Sequence, residues 1–242
     1  NFATNANTKI NYGLFTLLLC LEEYLTLNKT DCFNIMINST FIWSFIEAIL
    51  HITFTRIIKP MHLTIFNNTY KVPIYFGIFL QGFQEGGCIT TIGLYFGDRL
   101  HIKKYFIFLH FIIIFIIRSV NNRELHDKIS SKRMVNTPMS ISLMSLVTLY
   151  NSVKLYLNPS HIERAMKMFF IMIYVSTFWT LIAWYKGFRN VIVYKQILTK
   201  KIDIVNNYNT FFVLGYDVIF EIGMAYLFFY CYYMPNLYNM VY

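Results

Sequence analysis

The sequence predicts an all-α, polytopic transmembrane helical bundle of about seven spans, with the N-terminus inside and the C-terminus outside. Three observations predict it. The chain of 242 residues is 56% hydrophobic and only 14% charged, whereas soluble domains carry about 25% charged residues. Its apolar residues come in long runs and not in periodic stripes, which marks membrane spans. Its basic residues, which give a net charge of +9, sit in short loops between those runs, where Lys and Arg set membrane topology. A basic nucleic-acid surface is therefore not expected. The expected partners are the lipid bilayer and, beyond it, other membrane subunits or a second copy of the chain.

Seven runs follow in order, at 10–27, 33–58, 72–97, 103–120, 134–157, 166–186 and 208–233. Each is near or above the roughly 20 residues that cover a hydrocarbon core. Only helices and closed barrels satisfy their backbone in lipid, and the two-residue alternation of a barrel is absent. The first run lacks a cleavage-site pattern and reads as a span. Pro73 opens the third, where a missing N–H costs nothing. The fifth is the most polar, carrying Thr137, Pro138, Ser140, Ser142, Ser145, Thr148, Asn151 and Ser152.

The positive-inside rule tests that fifth run. With seven spans the N-terminal side receives 14 basic residues and the opposite side 7; without the fifth span the division is 12 against 9. The larger asymmetry favours seven. The segment from Val191 to Asp203 mixes Ile and Val with Lys195, Lys200 and Lys201. It reads either as a basic helix in the membrane interface or as an extended loop. The whole chain, 1–242, reads as one transmembrane domain without internal repeats.

The four cysteines, Cys20, Cys32, Cys88 and Cys231, form no CxxC and no Cys/His metal spacing. No disulfide framework follows. Cys32 reads as loop-borne, Cys88 and Cys231 as buried.

Ionisable groups inside spans cost at least about 2.5–3.5 kcal/mol near the bilayer centre, so they face protein or water. Glu47 and His51 share the second span, Gln81 and Glu85 the third, Asp217 and Glu221 the seventh. Each pair is spaced i, i+4 and lies on one helical face. His110 in the fourth span is a further member. The expectation is a buried polar site in which Glu47, His51 and Glu85 converge near the midplane, binding a small cation, a proton or a polar ligand. His51 changes charge near neutral pH. The competing reading is that these groups pair and lock the bundle. Glu22, Glu23, Asp98 and Arg99, close to span ends, read as wet interfacial charges.

Gly82, Gly86, Gly93 and Gly97 are spaced 4, 7 and 4 along the third span. They share one face and invite close helix packing. The pair Gly86–Gly87 beside Glu85 weakens the helix locally and would serve a discontinuous transporter helix as well.

The last run has no Lys for a retinal Schiff base, and the six histidines contain no pair three or four apart for an intramembrane zinc hydrolase. HExxH, GxSxG and Walker patterns are absent. No metal set is expected, and the sequence names no cofactor. Three functions remain: binding or conduction of a small cation, proton or polar ligand; a structural or accessory subunit of a larger membrane complex, organellar or other; and an intramembrane lipid-modifying enzyme. The membrane itself, organellar or plasma, is not specified.

Overall fold

The computed structural model describes residues 6–52, 60–121, 133–134, 137–157, 159–185, 191–196, 202–205, 215 and 218–219. The architecture is mostly helical. Two stretches, Asp31–Ile52 and Pro159–Ile182, are long and apolar enough to cross a membrane by length and composition. Asp217 and Glu221 lie outside the described residues, as does most of the predicted span 208–233.

Helix α1 (Ala6–Leu27) ends at Asn28, whose φ of 50° is left-handed. Asn tolerates that conformation better than most residues. A short turn leads into α2 (Asp31–Ile52), which places Asp31 in the first turn, where the helix dipole favours an acid. Glu23 of α1 accepts the Cys32 amide at 2.8 Å, satisfying one of the open N–H groups at the start of α2. Cys32 is buried there and is not loop-borne as the sequence suggested.

A hairpin of β1 (Met61–Ile65) and β2 (Asn68–Val72) follows, with Met61 opposite Val72 and Ile65 opposite Asn68. Its turn is Phe66–Asn67, with φ values of 45° and 65°, the all-positive geometry of tight hairpins. Met61 and Val72 pack with Ala6 and Leu80. The Asn7 side chain reads Thr64 in both directions, donating to its carbonyl at 2.7 Å and accepting its amide at 2.8 Å. The hairpin thus covers the start of α1.

Helix α3 (Ile74–Gly82) continues through a π-helical turn (Phe83–Cys88) into α4 (Ile89–Asp98) without a break. Helices α5 (Lys103–Asn121), α6 (Thr137–Leu157) and α7 (Ile162–Tyr185) complete the helical part, with a 3-10 turn (Pro159–His161) before α7. Strand β3 (Arg133–Met134) pairs in parallel with β4 (Val191–Gln196), which pairs antiparallel with β5 (Ile202–Val205). The described parts of the Val191–Asp203 segment, 191–196 and 202–203, are therefore extended strand and not helix.

Side-chain pairs fix the helix directions. Lys9, Thr16 and Glu22 of α1 meet Gln81, Cys88 and Tyr95 in turn, so α1 runs parallel to α3–α4. Ser39 meets Thr90 and Ser44 meets Phe79, so α2 runs the other way. Helices α5 and α7 also start at the Asp98 end, through Tyr105–Glu22 and Arg164–Asp98. The glycine face divides its packing between two partners. A Cβ on Gly82 would fall 2.6 Å from Ser44 Cα, and one on Gly86 would fall 2.6 Å from the Ser39 carbonyl oxygen, both on α2. A Cβ on Gly93 would meet Met172 Cγ at 2.6 Å and one on Gly97 would meet Met168 N at 3.0 Å, both on α7. Backbones approach this closely only where no side chain intervenes. Ile35, Cys88, Leu94, Phe96, Leu109 and Met168 form the core around these crossings.

Candidate functional site

The most unusual group in the bundle is Lys9, whose side chain is 1% exposed. A buried ammonium needs acceptors on every side. Its Nζ donates to Gln81 Oε1 at 2.6 Å and also to Gln84 Oε1. Gln81 in turn donates from Nε2 to Glu85 Oε1 at 2.5 Å. The three acceptor residues ride on the α3–π segment. One amide therefore links a cation to a carboxylate, with its dipole aligned to both charges.

The local backbone makes this possible. Phe83–Cys88 is π-helical, a widened turn that occurs often at functional sites. Gly86 and Gly87 fall within it, so the weakness inferred from two adjacent glycines appears as widening and not as a break. Thr90 and Thr91 return hydroxyl hydrogen bonds to the carbonyls of Gly86 and Gly87, at 2.8 and 2.6 Å. Gln81 is buried, while Gln84 and Glu85 are half-buried. The cluster therefore grades from a dry floor at Lys9 and Gln81 to a partly accessible side at Glu85.

The other predicted residues within the described part lie on α2 and α5. Glu47 is fully buried on α2. The antiparallel register, with Trp43 against Gly86 and Ser44 against Gly82, sets Glu47 at the level of Gln81, about one helical turn from the level of Glu85. His51 is half-buried in the last turn of α2, a turn further on. His110 is engaged elsewhere: one ring nitrogen bonds the Phe106 carbonyl at 2.8 Å and the other the Tyr174 hydroxyl of α7 at 2.9 Å. Among the described residues, no group of three or more His, Cys, Asp or Glu side chains is arranged to hold a metal ion.

A second polar cluster closes the opposite end of the bundle. Arg99 lies 3.4 Å from Glu22 and 3.9 Å from Glu23, with its guanidinium 3.9 Å from the centre of the Tyr95 ring. Tyr95 and Tyr105 both donate to Glu22, at 2.7 and 3.0 Å. Arg164 of α7 bridges Asp31 and Asp98, each at 2.7 Å. Arg99 is 4% exposed and Glu23 1%. The wet, interfacial reading of these groups therefore fails for Arg99 and Glu23. The physical reason is that four helices deliver opposite charges to one place.

Sequence reasoning missed Lys9. It stands at the edge of the first apolar run, where a Lys reads as a topology signal. Its partners are 72 and 75 residues away, and no local pattern announces them. A comparison of the chain with known protein families, curated proteins and solved structures finds no match.

Proposed function

We propose that the chain is an integral membrane protein whose Lys9–Gln81–Gln84–Glu85 cluster binds or conducts a small cation, a proton or a polar ligand. The observation that carries this reading is the buried ammonium seat: two amide oxygens converge on a positive charge, and one of those amides joins it to the Glu85 carboxylate of the π-helical turn. A locking interaction needs only one acid and one base. Here two extra amides shape a seat for a cation, and Glu85 connects it to a partly accessible side.

The polytopic reading has separate support. Helix α5 ends at the hairpin end of the bundle, while α7 begins at the Arg99 end. The chain between them has to travel the length of the bundle. Helix α6 has 21 residues, about 31 Å at 1.5 Å per residue, which matches a hydrocarbon core of about 30 Å. A return through α6 and the 14 to 7 division of basic residues are the support for a polytopic bundle with the N-terminus on the basic side.

The test is flux. The full chain is reconstituted in liposomes, and uptake of Na+, K+ and protons is compared between wild type and Glu85→Gln. The expected result is selective loss of flux with nearly unchanged thermal stability. Lowered stability with no selective functional loss would favour the second reading, a structural or accessory subunit. That reading draws on the apolar exterior of α1 and α2, where Leu18, Leu25, Phe41 and Phe45 are exposed to lipid or to a neighbouring subunit.

A further inference from the structure

We propose that Lys9 is a tethered competitor for the cation seat, and that a monovalent alkali cation binds among Gln81, Gln84 and Glu85 only as Lys9 gives up a proton. The inference rests on the preceding reading and adds the ligand class and the coupling. The argument begins from charge. The seat holds a single positive charge, the Lys9 ammonium, on Gln81 Oε1 and Gln84 Oε1, with Glu85 joined through the Gln81 amide. The ammonium occupies both amide oxygens, so a second cation cannot use them while it stays. If the ammonium releases its proton to water, –NH3+ becomes –NH2 and one cation enters. One positive charge leaves, one arrives, and the net charge of the cluster is unchanged. A divalent ion would raise the net charge of the cluster by one, so an exchange that conserves charge takes a monovalent ion. The acceptors are carboxylate and amide oxygens, the hard donors that alkali cations prefer over thiolate or imidazole. Lys is the residue suited to this part, because its ammonium deprotonates when its surroundings change.

The groups around Lys9 bear on its titration. Glu85 lies on the π turn, Glu47 on α2 at the level of Gln81, and the Cys88 thiol on the same side of α3–α4, near enough to feel the Lys9 charge. From the hairpin, β1 turns Met61 and Leu63 inward and His62 outward, with Lys71 exposed opposite His62. The neighbouring charges are therefore acidic, and the hairpin adds no inward cation.

The experiment uses the full chain in lipid nanodiscs. Binding of Na+ and K+ is followed by calorimetry and by tryptophan fluorescence, since Trp43 packs against Gly86 at the seat. Exchange of one proton for one cation predicts that apparent affinity rises by about tenfold per pH unit below the Lys9 pKa. It also predicts release of about one proton per cation in weakly buffered solution. Lys9→Gln should bind the cation with no pH dependence above the range in which Glu85 itself takes up a proton. Lys9→Arg, which keeps the charge and cannot deprotonate, should fold and lose cation binding. Cation binding that releases no proton and ignores pH would leave the cation site standing and overturn the exchange. No binding of Na+ or K+ at any pH would overturn both. Retained binding in Lys9→Arg would overturn the exchange even if Lys9→Gln failed to fold.

Discussion

Gly77 and Gly82 stand five residues apart in one helix and face different surroundings, so replacing each with Ala isolates the cost of close backbone approach. At Gly77 the nearest atoms to an added Cβ would be Met61 side-chain atoms, the closest at 3.7 Å, which is ordinary contact. At Gly82 it would fall 2.6 Å from Ser44 Cα. That atom is backbone and cannot rotate away, so α2 and α3 have to separate by most of an ångström. Both variants gain the same helix-interior preference of Ala over Gly, about 0.5–1 kcal/mol. The term cancels in their difference. What remains is the overpacking cost, about 1–3 kcal/mol for one inserted carbon in a packed core. Gly77→Ala should therefore be neutral or stabilising, and Gly82→Ala less stable than it by about 1–3 kcal/mol. Thermal unfolding of the two purified variants in the same detergent measures the gap. Equal melting temperatures would refute the idea that the glycine face is held in backbone contact with α2.

Two further outcomes follow from the ends of the bundle. Arg164→Met should leave Asp31 and Asp98 facing each other without their shared guanidinium and cost about 3 kcal/mol, the lower end for breaking a buried pair. Neutralising the exposed Glu163–Lys167 pair on the same helix should leave the unfolding temperature unchanged. Asn7→Ala removes both hydrogen bonds to Thr64 and should weaken hairpin attachment by about 1–2 kcal/mol. Faster proteolytic cleavage within residues 61–72, with the helices intact, is the expected readout; unchanged cleavage would count against Asn7 as the attachment point.

What the sequence made legible and what it hid follow from interaction range. The third span showed its glycine spacing because close packing needs small residues at fixed intervals along one helix. The spacing could not say that Gly82 and Gly86 would face α2 while Gly93 and Gly97 faced α7. That split depends on which neighbour crosses at which height. Glu85 was conspicuous because a carboxylate in an apolar run is costly wherever it points. Lys9 was silent because the same residue at a span edge is commonplace. The matching depth expected for Glu47 and Glu85 assumed that two antiparallel helices begin level. The register is set by where α2 and α3 cross, which puts Ser44 against Gly82 and Trp43 against Gly86. The hairpin between them escaped notice because its turn is Phe66–Asn67, not the Asn-Gly that marks such turns. Phe66 is 94% exposed at a positive φ, a place where an aromatic side chain gains nothing from the backbone.

Helix directions turn the topology into a labelling experiment. Asn28 lies in the exposed turn at the Arg99 end, Phe66 at the hairpin tip of the opposite end, and Ser160 is exposed just before α7. Single cysteines at these positions, in a background lacking the four native cysteines, report which face each end presents. If the bundle crosses the membrane along its helix axes, Asn28→Cys and Phe66→Cys should react with a membrane-impermeant maleimide from opposite sides. Phe66→Cys should label from the side that holds most of the basic loops. Ser160→Cys decides the fate of α6. Arg164 anchors the start of α7 beside Asp31 and Asp98, so position 160 is expected on the Asn28 side, to which a crossing by α6 would return the chain. Labelling of Ser160→Cys from the Phe66 side would mean that α6 does not cross, and the seven-span count would fall with it. Labelling of Asn28→Cys and Phe66→Cys from one side alone would go further, because the helices would then lie along the membrane surface and the buried Lys9 seat would not sit within the bilayer.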